Sequence, residues 1–148
     1  MPPTPASDSD QRYIDDLAPG MSAQVAKTIT EADILLFAAV STDVNPVHLD
    51  ETYAATTQFK GRIAHGMLSA GLISAALANK LPGPGTIYLG QTLKFRAPVR
   101  AGDTVVATVT VREVNVDKKR VVLDTVCTVA DKPVIEGEAT VMFPARPV

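Results

Sequence analysis

A single cysteine, no long hydrophobic run and no marked excess of either charge set the first limits on this chain. One thiol cannot close an intrachain disulfide, and Cys127 lies in a strand-like run, which marks it as a buried, inert core residue rather than a nucleophile. The longest apolar stretch falls short of the roughly 20 residues that a bilayer-spanning helix requires. The opening Met1 to Asp10 lacks the basic and apolar regions of a signal peptide, so the reading is a soluble, cytoplasmic protein with no membrane partner. Fourteen Lys and Arg against sixteen Asp and Glu give a net charge of -2, without a basic cluster. That balance excludes nucleic acid as a partner and leaves a small molecule as the expected one. There is no internal repeat. The two histidines, His48 and His65, lack a recognised ligand spacing, so neither a metal nor a cofactor is expected.

What is present fits one domain: 148 residues are enough for a sizeable core. Residues 1–12, rich in Pro, Ser and Asp, read as a disordered tail, and residues 13–148 as a single folded unit. Ser22 to Ile29 predicts a short first strand. Thr30 is a good N-cap with Asp33 three residues on, and Ile34, Leu35, Phe37 and Ala38 fall on one face of the helix it opens. Ser41 to His48 reads as a rigid turn rather than a helix, because Pro46 fixes its own φ and pushes Asn45 out of the α region. Asp50 to Ala55 suggests one or two helical turns.

A helix then runs from His65-Gly66-Met67 to about Leu81. Its residues are apolar or small on every side, the pattern of a helix covered all round. Four long strands follow: Thr86 to Phe95, Asp103 to Val114, Arg120 to Val129 and Val134 to Phe143, rich in Val, Thr and Ile. Arg112, Asp124, Glu136 and Glu138 within them imply that one sheet face is solvated while the other is covered by the central helix. The fold class is α+β, an antiparallel sheet curled around one apolar helix.

Asp43 and His48 put a carboxylate and an imidazole on one stiff loop. Taken singly, Asp43 and Asn45 read as turn residues bonding their own backbone, Ser74 as a small residue chosen for helix packing, and His65 as a structural histidine. The whole motif changes that reading. Phe37 to Asp50, followed by Ala64-His65-Gly66-Met67-Leu68, closely resembles the hydratase-2 motif of the MaoC-like (R)-specific enoyl-CoA hydratases, and Ile87 to Gln91 and Leu93 to Val99 continue the likeness. The resemblance spans roughly residues 20–143 and is nearest to the short, single-domain members that feed polyhydroxyalkanoate synthesis. It implies a hot-dog fold, a homodimer, and reversible hydration of a trans-2-enoyl-CoA to an (R)-3-hydroxyacyl-CoA.

The chemistry agrees with that implication. Adding water to an α,β-unsaturated thioester needs a base for the water, an acid for the α carbon and a donor for the enolate oxygen. Asp43 and His48 supply the first two, in either order on sequence grounds. The backbone N-H of Gly66, at the start of the central helix, is the candidate oxyanion donor. The resemblance adds Asn45 and Ser74 as groups that orient the water or the catalytic side chains. Two other enzyme readings remain: a hot-dog acyl-CoA thioesterase and a 3-hydroxyacyl-acyl-carrier-protein dehydratase. A non-catalytic subunit is a third, opposed by the intact Asp43 and His48.

Overall fold

The computed structural model describes residues 11–148. The tail expected over residues 1–12 therefore lies almost wholly outside the described residues. Of its last two, Arg12 donates to the Lys80 carbonyl at 3.1 Å. A 3-10 turn at Ile14–Asp16 leads into β1 (Ser22–Thr28), α1 (Glu31–Ser41), the single-turn helices α2 (Pro46–Leu49) and α3 (Glu51–Ala54), and the central helix α4 (Gly66–Asn79). Four strands complete the chain: β2 (Ile87–Phe95), β3 (Thr104–Asn115), β4 (Arg120–Val129) and β5 (Lys132–Met142). They form one antiparallel sheet in the order β1-β3-β4-β5-β2. This is the hot-dog arrangement, with α4 packed into the concave face.

Period-2 alternation builds that face. Val105, Ala107, Val109 and Val111 of β3, Val121 and Leu123 of β4, and Ala139 and Val141 of β5 all point inward and are buried. Ile73 and Leu77 of α4 fill the concavity and are almost fully buried, which stabilises the fold by about 1.5–3 kcal/mol each. The outer face is charged, as expected. Asp124 and Glu138 stand opposite one another on neighbouring strands, a repulsive pairing, and Arg112 at the bulge in β3 binds both.

Three local expectations change. The capping box of α1 forms, with Asp33 N on Thr30 Oγ1 at 3.1 Å and Thr30 N on Asp33 Oδ2 at 2.9 Å. Its buried face, however, is Ile34 and Ala38, while Leu35 is exposed because none of the described residues packs on that flank. Pro46 does not prolong the turn. It sits at the first position of α2, where its fixed φ suits a helix and its missing N-H costs nothing. Lastly, α4 is not covered all round: Met67, Gly71, Ser74 and Ala78 form an exposed stripe beside the free edge of β2, where Ile87, Tyr88 and Leu89 are also exposed.

Candidate active site

A relay of side-chain-to-backbone bonds builds the loop that carries the acid-base pair. Thr42 ends α1 in the left-handed region at φ 64°, turning the chain sharply. Ser41 Oγ donates to Phe37 O at 2.6 Å and accepts from Asp43 N at 3.1 Å. Asp43 Oδ1 accepts from Asn45 N at 3.3 Å, and Asn45 Oδ1 accepts from Val47 N at 3.1 Å, capping α2. The turn role of Asp43 thus uses one carboxylate oxygen only. The other, Oδ2, lies 4.0 Å from Nε2 of His48.

That separation is too long for a direct hydrogen bond, yet one water at about 2.8 Å from both atoms fits across it. His48 is buried, and its Nδ1 lies 2.8 Å from the Ile63 carbonyl. A carbonyl only accepts, so Nδ1 carries a hydrogen and Nε2 is left to face Asp43. Asp43 is half exposed at the wall of a cleft of about 390 Å³, lined also by Phe59, His65, Gly66, Phe95 and Arg96. Gly66 opens α4, so its N-H has no partner within the helix and meets the positive end of the helix dipole. Glycine lets the Phe95 ring close over the helix start: an added Cβ would stand 2.6 Å from Cδ1 of that ring and would require it to move.

The structure brings Asp43, His48 and Gly66 together. It keeps Asn45 on the exposed rim as a cap and sets Ser74 elsewhere. Ser74 lies two turns down α4, about 12 Å along the axis from Gly66, and lines a second groove with Met67, Gly71, Tyr88 and Gln91. His65 has the structural place expected of it: it is 2% exposed, stacks on His48 with ring centroids 3.8 Å apart, and holds the Asp43 carbonyl through Nε2 at 2.8 Å. Sequence reasoning gave no sign of these particular partners. It also missed Phe95, hidden in a strand pattern, and Ser69, whose buried hydroxyl has no partner among the described residues.

Asp43, His48 and His65 each place a potential ligand atom within 4.8 Å of the others. Nδ1 of His48 already faces the Ile63 carbonyl and Nε2 of His65 the Asp43 carbonyl, which leaves one nitrogen of each ring without such a partner. Cys127 is fully buried, and burial pushes its thiol up to about 11, as an inert core cysteine requires. Among the described residues, no helix is long and apolar enough to cross a membrane.

Comparison with known proteins places the whole chain. The chain is 62% identical over 141 residues to an (R)-specific enoyl-CoA hydratase of Rhodospirillum rubrum, covering 95% of this chain and 98% of the relative. An unliganded (R)-hydratase from Pseudomonas aeruginosa superposes with a TM-score of 0.84 at 54% identity, covering 90% of this chain and 86% of that one. An (R)-hydratase from Aeromonas caviae involved in PHA biosynthesis also gives 0.84, at 44% identity over 87% of this chain and 98% of its own. Relatives named as mitochondrial acyl-carrier-protein dehydratases stand further off, at 36% and 34% identity. The family described as MaoC like domain matches residues 17–136, and the chain belongs to it.

Proposed function

We infer that this chain is an (R)-specific enoyl-CoA hydratase, adding water to a trans-2-enoyl-CoA to give the (R)-3-hydroxyacyl-CoA, and reversing that reaction. The observation that carries the reading is the 4.0 Å gap between Asp43 Oδ2 and His48 Nε2, beside a cleft that the Gly66 helix N-terminus also lines. A water in that gap loses a proton to one member of the pair as its oxygen attacks the β carbon. Charge passes to the thioester oxygen, where the Gly66 N-H receives it. The other member must enter the cycle protonated, either Asp43 as the carboxylic acid or His48 as the imidazolium with hydrogens on both nitrogens. It gives that proton to the α carbon, and the proton taken from water passes across the pair to restore the starting state. Both protein groups lie on one short loop, so both additions occur on one face of the double bond. A positioned acid or base contributes about 10²–10⁴ in rate and a preorganised oxyanion donor about 3–4 kcal/mol.

Neither metal nor cofactor enters this scheme. A homodimer is supported by the free edge of β2, an aggregation hazard if left open, and by the small-residue stripe of α4 next to it. Ser74, on that stripe, lines a groove apart from the acid-base pair. Asn45 acts by holding the loop that carries that pair. The free, buried Cys127 suits a reducing compartment, and we assign the protein to the cytoplasm, supplying hydroxyacyl-CoA for polyhydroxyalkanoate synthesis.

Crotonyl-CoA tests the assignment. Loss of enoyl absorbance without release of free thiol supports hydration, whereas thiol release means a thioesterase and overturns it. Faster turnover of a crotonyl carrier protein than of crotonyl-CoA would move the assignment to the carrier-protein dehydratases.

A further inference from the structure

His65 does more than fill the core, because it touches every part of the reactive group. Its Nε2 lies 2.8 Å from the Asp43 carbonyl, its ring face lies on His48 at 3.8 Å, and Phe37 packs on it at 4.8 Å between centroids. The next residue in the chain is Gly66, the oxyanion donor. The carbonyl of Asp43 only accepts, so Nε2 carries the hydrogen of His65, and the ring is held as the Nε2-H tautomer. The buried Nδ1 has no partner among the described residues, as a bare lone pair on a fixed ring would be. The bond to Asp43 also clamps the chain immediately after the left-handed Thr42, where the backbone is least willing to stay.

We propose that His65 is a positioning residue, which sets the distance between the Asp43–His48 pair and the Gly66 N-H by bonding one member of the pair and stacking on the other. The proposal rests on the hydratase reading for its kinetic consequence. Stacked rings a van der Waals distance apart fix the plane in which His48 aims Nε2, and the carbonyl bond fixes the point from which the Asp43 side chain departs. A misplacement of about 1 Å costs on the order of 10²-fold in rate. Substrate binding is left almost unchanged, because His65, only 2% exposed, offers a bound substrate almost no surface.

Three variants separate its two contacts. His65→Gln keeps an N-H for the Asp43 carbonyl without the ring, His65→Phe keeps the ring without the donor, and His65→Ala removes both. With crotonyl-CoA, His65→Ala should lose roughly 10²-fold in kcat with KM within about threefold. His65→Gln and His65→Phe should each recover at least about tenfold of that loss. If His65→Ala fails to fold, the other two still decide: each must lie below wild type in kcat at unchanged KM. Folded variants with wild-type kcat overturn the proposal, as do kcat losses that merely follow a falling Tm with no recovery in the conservative variants.

A second readout needs no substrate. Long-range nitrogen NMR above the ordinary imidazole range (~6.5) distinguishes the tautomers of the only two histidines in the chain. His65 should show Nε2-H and His48 Nδ1-H, and the His48 signals should broaden or move in His65→Gln. A His65 carrying its hydrogen on Nδ1 overturns the proposal whatever the substrate proves to be. Absence of crotonyl-CoA hydration by wild type would defeat the hydratase reading alone.

Discussion

Replacing Gly66 by Ala separates the stability of the site from its chemistry, because the structure assigns opposite signs to the two. Gly66 does not occupy the positive-φ region, so alanine meets no backbone penalty there. In the first turn of α4 the change gains up to about 1 kcal/mol of helix propensity. Against that gain, the new Cβ would lie 2.6 Å from Cδ1 and 3.2 Å from Cζ of Phe95. Phe95 is 54% exposed, so its ring can swing outward at small cost. Net stability should change by no more than about 1 kcal/mol, a Tm shift of only a few degrees. Activity should fall far more. A methyl group beside the oxyanion donor holds the thioester oxygen away from the N-H, and loss of one such donor costs about 10²–10³ in kcat, or roughly 3–4 kcal/mol. The assay pairs crotonyl-CoA hydration with thermal unfolding. Combining Gly66→Ala with Phe95→Ala should not restore activity, since the methyl group and not the displaced ring obstructs the oxygen. A Gly66→Ala enzyme with normal Tm and more than about a third of wild-type kcat would refute the oxyanion assignment.

Asp43→Asn and His48→Ala should each lower kcat by about 10²–10⁴ while circular dichroism stays native, and near wild-type turnover in either folded variant removes that residue from the mechanism. Ile73→Ala, at a fully buried position of α4, should cost about 2–5 kcal/mol in denaturant unfolding, and a cost under about 1 kcal/mol would mean the helix is not the core. Cys127 carries a pH signature. Its thiol rises from 9.0 to about 11 by burial, so the unfolded chain ionises first as pH climbs. The stability this group contributes is full below about pH 9 and lost on the way to 11, and Cys127→Ala should show a shallower fall of Tm over that range. Equal slopes would contradict the burial.

Much of this architecture was legible because its causes are local. Thr30 and Asp33 cap α1 through bonds spanning three residues, and the Val-rich alternation of β3 to β5 marks an inner face by period alone. Asp43 and His48 were legible as a pair because one stiff loop carries both. What stayed hidden depends on distant partners. His65 bonds a backbone carbonyl 22 residues away, and no side-chain pattern reports which carbonyl that will be. The exposure of Leu35 and of the stripe through Met67, Gly71 and Ser74 is not legible, because an apolar or small residue looks the same in sequence whether its own chain or another surface packs on it. Pro46 was read as a helix breaker, although the first position of a helix is where proline fits.

Asp43, His48 and Gly66 are assigned to add water to an enoyl thioester from one face. The configuration of the product tests this most directly: crotonyl-CoA is hydrated in heavy water, the position of deuterium at the α carbon of the 3-hydroxybutyryl-CoA is read by NMR, and a separate portion is offered to dehydrogenases specific for the (R) or the (S) form. An (R) product is expected, with deuterium delivered on the same face as the hydroxyl. A predominantly (S) product, or deuterium on the opposite face, would contradict the assignment.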